Sequence, residues 1–119
     1  AGDPYVGQVE ETVGGLLPLL PQGMDTVLAY QSRLGPVRWQ EPYLDDEVRR
    51  AGKDGIKTLV LFPVTFVCEH LETLYELDME IRNLALGAGV ERVVRVPTVR
   101  DHPEFIAALA ALARKALEQ

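Results

Sequence analysis

Three glutamates recur at intervals of four residues in one short segment of the chain: Glu72, Glu76 and Glu80. This spacing places their side chains along one side of a helix. An exposed helix face usually has a lysine or arginine four residues after a glutamate, but here a second glutamate follows, at a cost of roughly 0.2–0.5 kcal/mol per like-charge pair. A divalent cation would offset this repulsion, so the row is a candidate metal-binding surface. An ordinary solvated helix face is the alternative interpretation.

A histidine lies just before the row. His70 and Glu72 follow an apolar run, and polar side chains beyond the carboxyl end of a buried strand face the crevice where α/β proteins bind ligands. The two side chains could share metal or proton chemistry if His70 lies outside the regular helix, because residues two apart within a helix point to different sides. A capping or core histidine is the alternative. Cys68, in the same turn, is interpreted as a small buried side chain, with a soft metal ligand as the alternative.

The loop that begins at Gln31 combines a hydroxyl, two guanidinium groups and an indole: Ser32, Arg33, Arg38 and Trp39. An indole beside groups that bind acids suits a flat, apolar ligand that carries carboxylates. A structural loop in which Trp39 covers the edge of the core is the alternative. The glycine-rich signatures of nucleotide sites, the nucleophile elbow of α/β hydrolases and the H-E-x-x-H metal pair are all absent.

Short apolar runs that alternate with helical spacing must position these residues. The runs predict strands at 26–30, 57–64 and 92–96, and the helical spacing predicts helices at 5–20, 44–53, 71–86 and 103–117. Such alternation is typical of a parallel sheet with right-handed crossovers. We therefore expect a single α/β domain over residues 1–119, a three-layer sheet with flanking helices that is Rossmann-like without a dinucleotide motif.

The patterns also predict what faces the core. The unbroken apolar run at 57–64 favours a strand covered on both faces. In the helix at 71–86 one apolar stripe should face the sheet, with the glutamate row on the opposite side: Leu71, Leu74, Leu77, Ile81 and Leu84. At the last helix, Asp101 and Glu104 indicate a capping box with Pro103 in the first turn, and His102 is interpreted as a surface residue.

Composition limits the class of protein. The 119 residues carry 18 acidic and 12 basic side chains, a net charge of −6 that argues against nucleic acid as a partner. One cysteine excludes a disulfide framework within the chain. Because no apolar run reaches the roughly 18 residues of a membrane span, and the first residues lack the features of a targeting peptide, we expect a soluble, cytoplasmic protein.

The two polar segments resemble those of the ferrochelatases, which insert ferrous iron into a porphyrin in heme synthesis. The matching segments are YQSRLGPVRW at 30–39 and FPVTFVCEHLETLYELDMEI at 62–81. Gly2-Asp3-Pro4-Tyr5, Pro63 and the closing helix with Pro103 and Phe105 also match, so the resemblance covers nearly the whole chain. It implies that the chain corresponds to the α/β carboxyl-terminal half of a ferrochelatase.

The resemblance also implies roles for individual residues. Glu72 would bind the metal or take part in removing protons from the porphyrin, and Glu76 and Glu80 would extend from it as a hydrated row that delivers the metal. His70 would line or support the same pocket as a catalytic residue. The porphyrin would be bound by residues of both polar segments: Gln31, Ser32, Trp39 and Phe66. Position 69 departs from the pattern, with glutamate where many family members have aspartate.

The resemblance implies partners as well. The family's principal catalytic histidine belongs to a motif that comes just before Gly-Asp-Pro-Tyr, so that histidine and the amino-terminal domain are absent from these 119 residues. We expect Fe²⁺ as substrate, protoporphyrin IX or coproporphyrin III as the porphyrin, no tightly bound cofactor and no iron–sulfur cluster within this chain, and self-association through an exposed apolar face. A self-dimerising half-chelatase and a non-catalytic porphyrin- or metal-binding module are the alternatives.

Overall fold

The computed structural model describes residues 2–31, 36 and 40–119. Two strands, β1 (Thr58–Leu61) and β2 (Arg92–Arg95), lie beside each other in parallel, with Leu59 opposite Val93. The described part of the chain also contains four α-helices, one 3₁₀ turn and one π-helix, in the chain order α1 (Tyr5–Leu16), the 3₁₀ turn (Leu17–Leu19), α2 (Leu44–Lys53), the π-helix (Glu72–Ile81), α3 (Arg82–Gly87) and α4 (Pro103–Leu117). This mixture of helices and parallel strands confirms the α/β prediction.

The core lies between the sheet and two of the helices. Its buried side chains come from α2, both strands, α3 and the turn after α3: Val48, Leu61, Ala85, Val90 and Val93. The prediction that β1 is covered on both faces is wrong, because Val60 and Phe62 are 44% and 45% exposed. Successive strand residues point to opposite faces, and α2 and α3 cover only the face that carries Leu59 and Leu61.

The predicted strand at 26–30 does not form a third strand of this sheet. Only Tyr30 makes a bridge, and its partner is Tyr43 rather than a residue of β1. The Tyr30 amide donates to the Pro42 carbonyl oxygen and the Tyr30 carbonyl oxygen accepts from the Leu44 amide, both at 2.9 Å. The backbone amide and carbonyl of Tyr30 are thus engaged by the chain entering α2. This bridge fixes the position of Gln31, the next residue.

A close approach of two backbones joins α2 to the end of α3. A Cβ added at Gly52 would lie 2.6 Å from Ala88 Cβ and would overlap the Ala88 carbonyl group. Gly89, with φ +110°, then turns the chain toward β2, as expected for a helix stop. Glycine at position 52 is therefore a packing requirement of the core.

The terminal helices pack less deeply. α1 ends before Pro18, earlier than the predicted limit at residue 20, and α4 contains no fully buried residue. His102, rather than Asp101, caps α4, because His102 Nδ1 accepts from the Glu104 amide at 3.4 Å. None of the helices in the described part of the chain is long and apolar enough to cross a membrane.

Candidate functional site

The segment that carries the acidic row is wound more widely than an α-helix. Residues Glu72–Ile81 form a π-helix, the winding defined by hydrogen bonds from an amide to the carbonyl five residues earlier, as from the Arg82 amide to Leu77 O. In this winding a four-residue step stays on one side of the helix. Thr73 and Leu77 are accordingly buried, with Ile81 half-buried beyond them.

The winding corrects two predictions about the helix surface. Leu71 and Leu74 are 74% and 52% exposed rather than facing the sheet, because the predicted stripe assumed 3.6 residues per turn. The glutamates also do not lie opposite the core. Each precedes a member of the buried stripe by one position, so the row lies at the edge of the packed face, with Glu72 and Glu76 half-buried and Glu80 exposed.

The row borders a cavity of about 220 Å³ between the π-helix and the start of α2. Its lining is mostly polar and comes from three segments: Tyr30, Gln31, Leu44, Asp45, Glu76, Glu80 and Ile81. Gln31 Nε2 donates to Glu76 Oε2 at 3.1 Å and to the Glu72 carbonyl oxygen at 3.4 Å. The structure therefore brings together three of the residues predicted to form the site: Gln31, Glu76 and Glu80.

The glutamates offer oxygen ligands in series rather than in one closed cage. Among the residues that the structure describes, no three His, Cys, Asp or Glu side chains converge on a point that could hold a metal ion. Carboxylate oxygens spaced along one helix edge can pass a hydrated cation from one to the next.

His70 lies at the amino-terminal end of the π-helix, outside its regular turns. Its Nδ1 accepts a hydrogen bond from the Glu72 amide at 3.2 Å, and its own amide donates to Thr73 Oγ1 at 3.0 Å. A backbone amide always donates, so the neutral imidazole carries its proton on Nε2. The ring stands edge-on to Phe66, with the centroids 4.4 Å apart and the planes at 83°. His70 therefore caps the helix through Nδ1 and offers Nε2 to its surroundings.

Glu69 anchors the turn before the π-helix, a role that the sequence did not predict. Its Oε1 accepts from the amide and the hydroxyl of Thr98, each at 3.1 Å, and its Oε2 accepts from Thr73 Oγ1 at 2.7 Å. The Thr73 hydrogen bond, followed by those from Thr98 and Arg95, lowers the pKa of Glu69 to about 2. The carboxylate stays ionised and joins the turn to the segment after β2.

Arg95 completes this network from β2. Its guanidinium donates to both carboxylate oxygens of Asp78, at 2.6 and 2.9 Å, and to Glu69 at 3.2 Å. The Asp78 and Glu69 hydrogen bonds raise the pKa of the Arg95 guanidinium, against the opposing effect of its burial. Two features of the sequence could have indicated this network. Arg95 interrupts a run that is otherwise apolar at 93–96, and Asp78 lies between two glutamates of the row.

Other predicted residues fall elsewhere. Ser32 and Trp39 lie outside the described residues, together with both arginines of that segment. Cys68 is exposed, so its interpretation as a buried side chain is wrong. A second cavity of about 250 Å³ lies between α1 and the turn after β1, and it is lined by Tyr5, Gln8, Val9, Thr12, Val64 and Thr65.

Comparison with known proteins identifies relatives along the whole chain. A sequence profile of the family described as ferrochelatase matches residues 1–117. The chain is 47% identical over 119 residues to a ferrochelatase of Picosynechococcus sp., an alignment that covers 100% of this chain and 31% of the relative. It is 48% identical over 117 residues to a ferrochelatase of Thermosynechococcus vestitus, covering 98% of this chain and 30% of that relative. The chain thus spans a little under one third of the length of the curated relatives that it matches.

Proposed function

Because this chain belongs to the ferrochelatase family, we propose that it forms part of an enzyme that inserts Fe²⁺ into a porphyrin in heme synthesis. The observation that carries the proposal is the Gln31–Glu76 hydrogen bond. It joins the two segments that resemble the family's substrate-binding and metal-handling motifs, at the edge of one cavity. In this arrangement carboxylates and a segment suited to a flat, acidic ligand meet at one place.

The acidic row handles the metal in this proposal. Fe²⁺ binds well to carboxylate oxygens and water, and three carboxylates in series let it exchange water step by step as it moves inward. Glu80, which is exposed, meets the hydrated ion first, and Glu76 receives it beside Gln31. Glu72, at the inner end, binds the metal as it enters the porphyrin or accepts a proton from a pyrrole N–H.

His70 and Phe66 form the wall next to Glu72. The edge-on contact between their rings holds the imidazole, and the Glu72 amide holds Nδ1, so that Nε2 remains for the substrate. In the neutral tautomer Nε2 donates a hydrogen bond, to a porphyrin nitrogen or to water around the metal. We propose His70 as the second catalytic residue on this ground.

The porphyrin is protoporphyrin IX or coproporphyrin III in this proposal. Gln31, Ser32, Trp39 and Phe66 bind it, with the indole along the ring and the hydroxyl near a propionate. The partner is the amino-terminal ferrochelatase domain, which supplies the family's principal histidine. Fe²⁺ is a substrate, no tightly bound cofactor is needed, no iron–sulfur cluster lies within this chain, and the enzyme is cytoplasmic.

The second candidate is a binding module that takes porphyrin or metal without turnover, either alone or as a self-associated pair. The apolar side chains exposed on the outer face of β1 favour packing of this chain against another folded unit, either the amino-terminal domain or a second copy. Turnover distinguishes this candidate from the enzyme.

The test is an anaerobic metal-insertion assay that follows porphyrin absorbance with Fe²⁺ or Zn²⁺. It compares the complete ferrochelatase that contains this chain with its Glu72→Gln variant. Glu91→Gln is the matched control, because Glu91 is exposed at the opposite, amino-terminal end of β2, where it pairs with the exposed Lys57. The proposal predicts loss of insertion in Glu72→Gln alone. Porphyrin binding without turnover in the unsubstituted protein would favour the binding module.

A further inference from the structure

Arg95 connects two acids that lie at different points along the functional segment. It holds Asp78, on the π-helix, with two hydrogen bonds, and it holds Glu69, in the turn before that helix, with a third. The Arg95 side chain is only 10% exposed, against 23% for Glu69 and 30% for Asp78. A planar guanidinium that engages two carboxylates in a mostly buried position restricts the direction of both.

The network requires Thr73 and Asp78 to lie on the same side of the helix. Thr73 donates to Glu69 at 2.7 Å, and Asp78 reaches the same Glu69 through Arg95. Residues five apart are separated by about 140° around the axis of an α-helix, which has 3.6 residues per turn. In a π-helix, where hydrogen bonds run from an amide to the carbonyl five residues earlier, residues five apart lie about one turn apart and on the same side.

We propose that Arg95 is a positioning residue that selects the π-helical winding of Glu72–Ile81 and so places Glu76 beside Gln31. The winding keeps Thr73 and Asp78 on one side of the helix, where both join the network of Glu69 and Arg95, and it sets the rotation at which Glu76 faces Gln31. In α-helical winding Thr73 and Asp78 would lie about 140° apart around the axis. Arg95 acts on the metal row through Asp78 and does not touch it.

The winding can be tested without reference to activity. We would determine the structures of the complete protein with Arg95→Gln, which keeps a polar side chain but removes the charge and the two-pronged contact, and with Arg92→Gln as the control. Arg92 is an exposed arginine of the same strand. In Arg95→Gln, residues 72–81 should change from π-helical to α-helical hydrogen bonding, so that each amide bonds to the carbonyl four residues earlier instead of five. The Gln31–Glu76 contact should break as well, whereas Arg92→Gln should change neither feature.

A folded Arg95→Gln variant that keeps the π-helix would overturn the proposal. If Arg95→Gln does not fold, Asp78→Asn gives the same readout, because it leaves the Glu69–Arg95 pair in place and weakens only the contact on the helix. Retention of the π-helix in Asp78→Asn would likewise count against a role for the bridge in selecting the winding.

The kinetic consequence rests on the proposed function. A displaced metal row should raise the KM for Fe²⁺ by about tenfold in Arg95→Gln and leave the KM for porphyrin nearly unchanged, since small displacements near reacting groups have large effects. If Arg95→Gln only reduced the amount of folded protein, the rate would fall while the KM for Fe²⁺ and the KM for porphyrin stayed unchanged. If Glu72→Gln retains full activity, the proposed function fails, while the structural result on Arg95 stands by itself.

Discussion

Gln31 Nε2 lies 3.1 Å from Glu76 Oε2, and this hydrogen bond joins residues 45 positions apart in the chain. Gln31 is held by the bridge that its neighbour Tyr30 makes with Tyr43, and Glu76 is held by the π-helix. The contact therefore connects the chain entering α2 with the acidic row at the edge of the cavity. It is the link between the two polar segments that were predicted to bind substrate and metal.

Removal of the Gln31 amide should loosen this link. Gln31→Ala is expected to lower the free energy of unfolding by roughly 1 kcal/mol, the usual net value of one such hydrogen bond. It should also raise the KM for Fe²⁺, because Glu76 loses the donor that orients it. Chemical unfolding and metal-insertion kinetics measure the two effects, and Gln40→Ala, at an exposed glutamine nearby in the sequence, is the control. An unchanged KM for Fe²⁺ would show that the contact does not orient Glu76.

The burial pattern of the π-helix predicts a contrast between two leucines. Leu77 is 3% exposed and Leu74 is 52% exposed, although an α-helical stripe would bury both. Leu77→Ala should cost about 2–5 kcal/mol of unfolding free energy, as is usual for a large-to-small change in a core. Leu74→Ala should stay within about 0.5 kcal/mol of the wild type, as is usual at the surface. Similar losses for both variants in urea unfolding would contradict the winding.

Two glycines should respond to alanine in opposite directions. Gly52→Ala places a methyl group against the backbone of Ala88 and should destabilise the protein by roughly 1–3 kcal/mol, the range for overpacking. Gly14→Ala, within α1 and with nothing within 4 Å of the added carbon, should stabilise by about 0.5–1 kcal/mol. Thermal unfolding of the two variants measures both signs. A neutral Gly52→Ala would mean that α2 and α3 approach less closely.

Stability in acid should depend on Glu69. Its pKa is about 2 in the folded protein, whereas an unfolded glutamate titrates near 4.3. The pKa is lowered on folding, so the stabilisation is complete above the unfolded value and is lost as the pH falls from about 4.3 toward 2. In Glu69→Gln, the free energy of unfolding should fall less steeply over this range. Thr98→Val, which removes one donor to Glu69, should give an intermediate slope, and equal slopes in all three proteins would contradict the assignment.

Local pattern was enough to predict most elements of the fold. The sequence at 44–53 and 103–117 has helical spacing with a clear start and stop, and both helices form at those limits. The strand predicted at 92–96 forms as β2, and that at 57–64 forms as the shorter β1, which ends before Pro63 because proline has no amide hydrogen to donate. These features depend on neighbours within a few residues, which a single sequence displays.

Features that depend on distant partners could not be predicted in this way. The π-helix contains residues that also suit an α-helix, and its winding goes with a network to Thr98 and Arg95 in another part of the chain. The segment at 26–30 has the composition of a strand, but Tyr30 pairs with the chain before α2. Among the site residues, Gln31 and Glu76 were both predicted, Glu76 from its spacing and Gln31 from the family resemblance, while the contact between them was not.

The most direct test of the acidic row as a metal pathway is the metal dependence of Glu76→Gln and Glu80→Gln in the complete enzyme. Initial rates would be measured against Fe²⁺ at fixed porphyrin and against porphyrin at fixed Fe²⁺, with Glu91→Gln as the control. Both variants should raise the KM for Fe²⁺ well above any change in the KM for porphyrin, because each loses a charged oxygen ligand on the route. An unchanged dependence on Fe²⁺ in both variants would mean that the row is only a solvated helix edge.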